Sequence, residues 1–358
     1  MKITLNELQE LEKLGYVRSV EHKILPIKVY NYCPIVQFDK LFGDYPLLRL
    51  CRGLVVDNSG KVVGRGFEKF FNWEEHQKSE LPGSGDKIEI TKKMDGSLLI
   101  VFRYNDQVVY STRGSFYSDQ AIAGAELFRE LYNEDWIEEG KTYLFEFIGP
   151  ENRIVVQYEG MDLIHLAIID NSNGYDLPRD NRFKSVEVFD VDGGLFSDAL
   201  FDKLKSLNTS NEEGFVIRAI PDGDYPDWRC KVKFDDYIKL HRIVTGVSNK
   251  TIWEMLRDNS SLDAMIEVCP DEFNNWLRKV KDNLENQYMV LEERAKIAYD
   301  VVKLLESRKE QAIALMSNYN DVAPIVFKML DNASYSKVIW NMLKPTSYIQ
   351  PFANKGEE

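Results

Sequence analysis

The sequence predicts an α+β fold, with a body of antiparallel sheets over residues 1–245 followed by an all-α C-terminal domain over residues 246–358. Three observations carry this expectation. Between about residues 15 and 235, short β-rich runs alternate with Gly, Asn, Asp and Pro punctuation. A single helical stretch interrupts them. Beyond about residue 246 the apolar residues recur at helical spacing instead. A chain of 358 residues has room for two such domains.

In chain order, strands are expected over residues 54–56, 88–91, 98–103 and 108–112. The helical stretch runs from Ser118 to about Tyr132, with Ala121, Ala125, Leu127, Phe128 and Leu131 spaced for one face. Strands follow over 143–148, 154–158, 163–169, 214–219 and 230–234. The remainder reads as helices over 251–256, 262–268, 271–306, 310–316, 322–330 and 335–343. The longest sets Phe273, Trp276, Leu277, Val280, Leu284, Tyr288, Leu291, Ala295, Ala298, Val302 and Leu305 on one face, with Asp271 after Pro270 as its N-cap.

Composition narrows the class. With 44% hydrophobic and 29% charged residues, the chain reads as folded and soluble rather than disordered. No apolar run approaches the roughly 20 residues that span a bilayer. The opening MKITLNELQELEKLGY has charges where a signal peptide needs its apolar stretch, so a cytoplasmic protein with no membrane partner is expected. The net charge of −13 excludes a binder that coats nucleic acid by charge alone, but not a local basic groove. Cys33, Cys51, Cys230 and Cys269 form no CxxC pair and read as buried thiols in a reducing compartment. His22, His76, His165 and His241 form no HExxH or HxH, so a histidine-ligated metal is not expected.

The tetrad Lys93-Met94-Asp95-Gly96 closes the apolar run IEIT and precedes LLIVF. A lysine at a strand end before a tight Asp-Gly turn sits at the mouth of a sheet. Alone, the tetrad is also what a strand-end hairpin with a solvated lysine would show. Its company makes it informative: Arg52-Gly53 upstream, then Thr112-Arg113-Gly114, Phe145-Glu146-Phe147, Glu213-Gly214-Phe215-Val216 and Lys231-Val232-Lys233-Phe234. In this order the set resembles the nucleotidyltransferase motifs of covalent ligases and capping enzymes. The blocks CRGLVV, GFEKFFNW, FEFIGPENRIV and KVKFDDYIKLH, over about residues 45–242, are similar to the bacteriophage T4 RNA ligase 1 family.

That resemblance implies an adenylyltransferase domain in which Lys93 attacks the α-phosphorus of ATP. A lysyl-AMP forms, AMP passes to an RNA 5′-phosphate, and a 3′-hydroxyl then seals the bond. Lys231 and Lys233 share one strand face and would neutralise the α-phosphate. Glu146 would meet a ribose hydroxyl or a metal-bound water, and Glu213 a hydrated Mg²⁺ (or Mn²⁺) or the lysine; Asp95 would join that metal shell. Arg52 and Lys69 carry over as phosphate or ribose contacts. Arg113 stands where the family commonly has lysine. The base would meet an aromatic of residues 67–71 or Ile90. A lysine amine is a poor nucleophile at its free pKa of about 10.4, so the cations of Lys231 and Lys233, together with partial burial, are expected to lower that of Lys93.

The implied partner is RNA with 3′-hydroxyl and 5′-phosphate ends, including nicked tRNA, served by a monomer in the cytoplasm, or the host cytoplasm for a phage protein. The helical domain would select the RNA, with Arg278, Lys279 and Lys281 its nearest approach to a basic cluster. A DNA ligase or an mRNA-capping guanylyltransferase would use the same lysyl-nucleotide chemistry, but those families follow the KxK strand with short strands of an OB-fold. A non-catalytic RNA-binding scaffold would not need Lys93, Glu146, Glu213, Lys231 and Lys233 together.

Overall fold

The computed structural model describes residues 3–150, 155–207, 211–220, 228–260, 262 and 271–349. The chain divides into two compact units, Met1–Ile238 and Lys239–Ala353.

The first unit is α+β and built on three sheets. Helix α1 (Leu5–Lys13) opens it, capped by Thr4 and Glu7, whose side chains reciprocally satisfy the first backbone N–H groups. Strands β1 (Val17–Glu21), β2 (Ile27–Tyr32), β3 (Arg52–Asp57) and β4 (Val62–Gly64) form an antiparallel sheet in that order. Helix α2 (Pro34–Phe38) joins α1 on one face, burying Leu8, Leu11, Val36, Leu48 and Leu54. The opposite face packs Val29 and Val55 against Ile100, Phe102 and Leu144 of the second sheet.

The third sheet begins with β5 (Phe71–Asn72) and β6 (Ile88–Lys92), while the second contains β7 (Ser97–Tyr104) and β8 (Gln107–Ser111). The β7–β8 hairpin turns on Asn105 and Asp106, both in the left-handed region that a two-residue turn requires. Helix α3 (Asp119–Leu131), capped by Ser118, buries Phe128 against Tyr143 and Phe145. Strands β9 (Lys141–Ile148), β10 (Asp162–Asp170) and β11 (Asp176–Leu177) complete the second sheet in the order β11-β10-β9-β7-β8. After β12 (Val188–Phe189) and helix α4 (Leu200–Ser206) come β13 (Gly214–Ala219) and β14 (Trp228–Lys233). The third sheet runs β12-β6-β13-β14-β5 and is antiparallel except for the edge pair β5–β14.

Every expected strand lies within or overlaps an observed one except 154–158. Residue 154 lies outside the described residues, and Val155 and Val156 turn their N–H groups to the Asp95 carboxylate instead of to a neighbouring strand. Strands β1, β2, β4, β5, β11 and β12 lie inside the expected β-rich region but outside the runs named in it.

Helix α5 (Asp235–Gly246) contains the division between the units. The second unit is helical: α6 (Asn249–Arg257), α7 (Asp271–Val302), α8 (Arg308–Asn318), α9 (Ala323–Leu330) and α10 (Ser336–Met342). Along α7, Leu277 and Leu284 pack with Ile252, Trp253 and Trp340, while Ala295, Ala298 and Val302 pack with Leu315, Ile325 and Val326. The expected end at residue 306 is too late, because Ser307 caps α8 through Glu310 and the chain must leave α7 first. The expected helix over 262–268 and Cys269 fall largely outside the described residues. No helix among the described residues is long and apolar enough to cross a membrane.

Candidate active site

The third sheet places the chemistry-bearing side chains at three adjacent strand ends. Lys93 follows β6 directly, and its N–H donates to the Gly214 carbonyl at 2.8 Å. Gly214 is in register with Lys233. A side chain at Gly214 is excluded twice, because its φ is +136° and a Cβ would lie 2.0 Å from the Val232 carbonyl oxygen. Gly96, in the turn after Lys93, is held as closely: a Cβ there would meet the Phe147 carbonyl oxygen at 2.3 Å.

Within this frame the Lys93 Nζ donates to Glu213 Oε2 at 2.6 Å, and Lys233 Nζ lies 2.8 Å from Glu213 Oε1. Glu213 is 2% exposed, so one buried carboxylate bridges two ammonium groups. Burial opposes its ionisation, but Lys93 and Lys233 outweigh burial and hold its pKa below the usual carboxylate value. Glu146, on β9, accepts from the Gly96 N–H through Oε1 at 3.1 Å, and its Oε2 meets no donor among the described residues. Burial pushes Glu146 up to about 7, against the pull of the Lys93 ammonium.

The expected depression of Lys93 is not found. Burial does pull its pKa down, but Glu213, Glu146 and Asp95 outweigh it and hold Lys93 above its ordinary value. The depressed lysine is Lys231, which burial and the cations of Lys93, Lys69, Lys233 and Arg52 bring down to about 7. Its amine lies 5.7 Å from the Phe70 ring and meets no carboxylate among the described residues.

Asp95 is 2% exposed and its oxygens already have protein donors. Oδ2 accepts from Val155 N–H and Val156 N–H, each at 2.8 Å, and Oδ1 from the Tyr237 hydroxyl at 2.9 Å. This geometry makes Asp95 a brace for the Lys93 turn and gives its expected place in a metal shell no support. No group of three or more His, Cys, Asp or Glu suited to direct metal ligation occurs among the described residues.

Lys93, Glu146, Arg52 and Arg113 line a cleft of about 370 Å³. Arg52 has a buried Nη1 with no hydrogen-bond partner. Burial, with repulsion from Arg113, brings its pKa down to about 10. Phe67 and Phe70 line the cleft, as do Thr91 and Val216, whereas Ile90 points to the other face of β6 and is core. Sequence reasoning missed Arg18 and Asn31, which also line it. Arg18 pairs with Asn31 across β1–β2, and Asn31 with Arg52 across β2–β3, so the three form a row. Their signal was the alternation of β1 and β2, which charged residues obscure. Lys69 stands in an adjoining cleft, its Nζ 3.2 Å from Gln37 Oε1.

The T4 RNA ligase 1 family model, described as RNA ligase, matches residues 50–238, over half of the sequence and including all nine expected site residues. The chain belongs to the T4 RNA ligase 1 family. Among its relatives, an inferred bifunctional polynucleotide kinase/RNA ligase of Autographa californica nuclear polyhedrosis virus is 28% identical over 260 residues, covering 63% of this chain and 36% of that protein. The chain thus matches about a third of that viral relative's length. An inferred RNA ligase of Thermovibrio ammonificans is 28% identical over 258 residues, covering 70% of this chain and 67% of its own. A solved mutant of Naegleria gruberi RNA ligase with AMP and Mn is 17% identical, with a TM-score of 0.39 over 67% of this chain and 83% of that one. In this T4 RNA ligase 1 family member Lys93 and Lys233 both meet the Glu213 carboxylate.

Proposed function

We propose that the chain is an ATP-dependent RNA ligase that joins RNA 3′-hydroxyl and 5′-phosphate ends through lysyl-AMP and RNA-adenylate intermediates, in RNA repair that includes nicked tRNA. The observation that carries this reading is the Lys93–Glu213–Lys233 cluster beside the cleft in a chain of this family. Lys93 Nζ bonds to the α-phosphorus of ATP as the bond to the β-phosphate oxygen breaks; pyrophosphate leaves and the amine sheds its protons to solvent. AMP then moves to an RNA 5′-phosphate, and attack by a 3′-hydroxyl expels it.

In the free protein Glu213 is ionised and Lys93 protonated, so Glu213 orients the amine and holds its proton rather than taking it. Glu146 Oε2 would accept a hydrogen bond from a ribose hydroxyl or a metal-bound water. A divalent ion held through water by Glu146 and Glu213 would offset polyphosphate charge and relax the hold of both carboxylates on the Lys93 proton. Lys231, Lys233, Arg52, Arg113 and Lys69 supply cations to the phosphates and ribose.

Incubating the protein with labelled ATP or GTP and Mg²⁺ or Mn²⁺, then resolving it under denaturing conditions, tests the reading. ATP should label it and the label should chase into 5′-phosphorylated RNA. Labelling by GTP alone would favour a capping guanylyltransferase, and transfer only to nicked DNA a DNA ligase. No labelling by either nucleotide would refute the lysyl-nucleotide chemistry.

The same charges fix a pH dependence. As pH rises through about 7, Lys231 loses a positive charge and Glu146 gains a negative one. Both changes disfavour an anionic polyphosphate. Measured in EDTA, where no divalent ion bridges Glu146 to the phosphates, the affinity for an α,β-methylene ATP analogue should therefore fall between pH 6 and 8.5, approaching about tenfold per unit for each proton linked. Lys231→Met and Glu146→Gln should each flatten the curve. An affinity independent of pH would remove both groups from the polyphosphate's surroundings.

The helical unit is proposed to select the RNA. Lys281 in α7 is partly engaged by Glu285 at 3.9 Å, so Arg278 and Lys279 are the freer charges. A truncation after Gly246 keeps Tyr237 and should still form the AMP adduct while its preference among RNA ends changes. Loss of the adduct from a soluble truncated protein would make the helices part of the catalytic unit.

A further inference from the structure

Residues 155–158 form no strand, and where their hydrogen-bonding groups go shows what they hold instead. The Val155 and Val156 N–H groups both donate to Asp95 Oδ2 at 2.8 Å, while the two side chains are buried. Gln157 turns to a different segment. Its N–H donates to Asn211 Oδ1 at 2.6 Å, and its carbonyl accepts from Asn211 Nδ2 at 3.0 Å. Tyr158 returns to the Lys93 turn: its hydroxyl accepts from the Asp95 N–H at 3.0 Å, and its ring joins Met94 against Ile148, Ile164 and Val186.

Three consecutive N–H groups and one carbonyl are thus spent on side chains of two other segments. One is the turn after Lys93. The other is Asn211-Glu212-Glu213, whose last carboxylate holds the Lys93 amine at 2.6 Å. The backbone bond from Lys93 to Gly214 joins these segments once. Residues 155–158 tie them a second time, at Asp95 two residues after the lysine and at Asn211 two residues before the carboxylate. Asparagine suits that place: its φ of +64° lies in the left-handed region that asparagine and glycine adopt most readily, and its amide offers the donor and the acceptor that the Gln157 backbone needs.

We propose that Asn211 and Tyr158 are positioning residues for the nucleophile, fixing the Lys93 amine against the Glu213 carboxylate through the strap of residues 155–158 and so aiming it at the phosphorus it attacks. The inference rests on the ligase reading above and deepens it. Neither residue is among those that line the cleft, so each acts through Lys93 and Glu213 rather than on the nucleotide. Their effect therefore belongs to the chemical step and not to ATP binding.

The test uses the full chain with Mg²⁺. Asn211→Gly keeps the left-handed backbone and removes the clamp; Tyr158→Phe keeps the ring and removes the acceptor. Single-turnover adduct formation is followed as ATP concentration varies. At saturating ATP the rate constant should fall about fivefold for Asn211→Gly and about tenfold for Tyr158→Phe, the scale of one or two lost hydrogen bonds. The ATP concentration that gives half the maximal rate should stay within about twofold, as should sealing of RNA already carrying a 5′-adenylate. Because both residues act on one strap, the double variant should lose much less than the product of the two single losses.

Unchanged rate constants in both single variants would overturn the inference. So would a smaller fraction of adduct-forming protein with an unchanged rate constant, which would make the strap a folding element only. A rise in half-saturating ATP that matches the fall in rate would place the two residues in the nucleotide's surroundings, and losses that multiply in the double variant would mean that they share no strap. If Tyr158→Phe fails to fold, Asn211→Gly, at an exposed position, decides. An unmodified protein that forms no adduct would instead overturn the ligase reading, and this inference with it.

Discussion

Lys93→Ala should yield no protein-bound AMP, while sealing of RNA already carrying a 5′-adenylate should survive in part or in full, because that step bypasses the nucleophile. The geometry explains why no neighbour can substitute. Lys233 donates to the opposite oxygen of Glu213, and Lys92 is paired with Glu212. Among the described residues, only Lys93 combines a place in the cleft lining, the Gly214 anchor on its backbone and the Glu213 contact on its amine. Lys93→Arg is the sharper control: it keeps a cation beside Glu213 but cannot form a stable phosphoramide. Absence of adduct in both variants, with ordinary thermal stability in Lys93→Arg, would place the loss in nucleophilicity rather than in folding. Full adduct formation by Lys93→Ala would refute the assignment.

What the sequence disclosed about this site depended on locality. The Lys93 turn, Glu213 and Lys233 were legible because each lies at one end of a short β-rich run, Lys93 after β6, Glu213 before β13 and Lys233 at the end of β14, and antiparallel pairing brings such ends together. The row Arg18–Asn31–Arg52 was not, since it exists only once β1 and β2 are recognised, and β1 reads VRSVE with two charges in five residues. Residues 155–158 looked like a strand because valine and tyrosine favour one, yet the Asp95 carboxylate took the Val155 and Val156 N–H groups that a strand would have given to its neighbour. Tyr237 closes the same brace from α5, 142 residues away, a distance no local pattern spans. The helical unit was the easiest part: the period along α7 places Leu277, Leu284, Ala295, Ala298 and Val302 in its cores. Charge was the hardest, because the sequence shows that three lysines converge but not that Glu213 sits between two of them.

That last point sets the expected behaviour of Lys231→Ala and Lys233→Ala. Each removes one cation from the transferring phosphate and should slow single-turnover adduct formation by about 10²-fold, the scale of one lost transition-state charge contact. The two should differ in their pH profiles. Without Lys233, Glu213 keeps Lys93 as its remaining lysine partner, the attraction on the Lys93 proton grows, and the rise in rate with pH should move to higher pH. Without Lys231, a cation repelling the Lys93 ammonium is gone, but that cation is already largely neutral above pH 7. Its removal should therefore cost most at low pH and progressively less as pH rises through about 7. Rates within threefold of the unmodified protein in both variants would move these lysines out of the reaction, and superimposable pH profiles would mean that Glu213 does not discriminate between them.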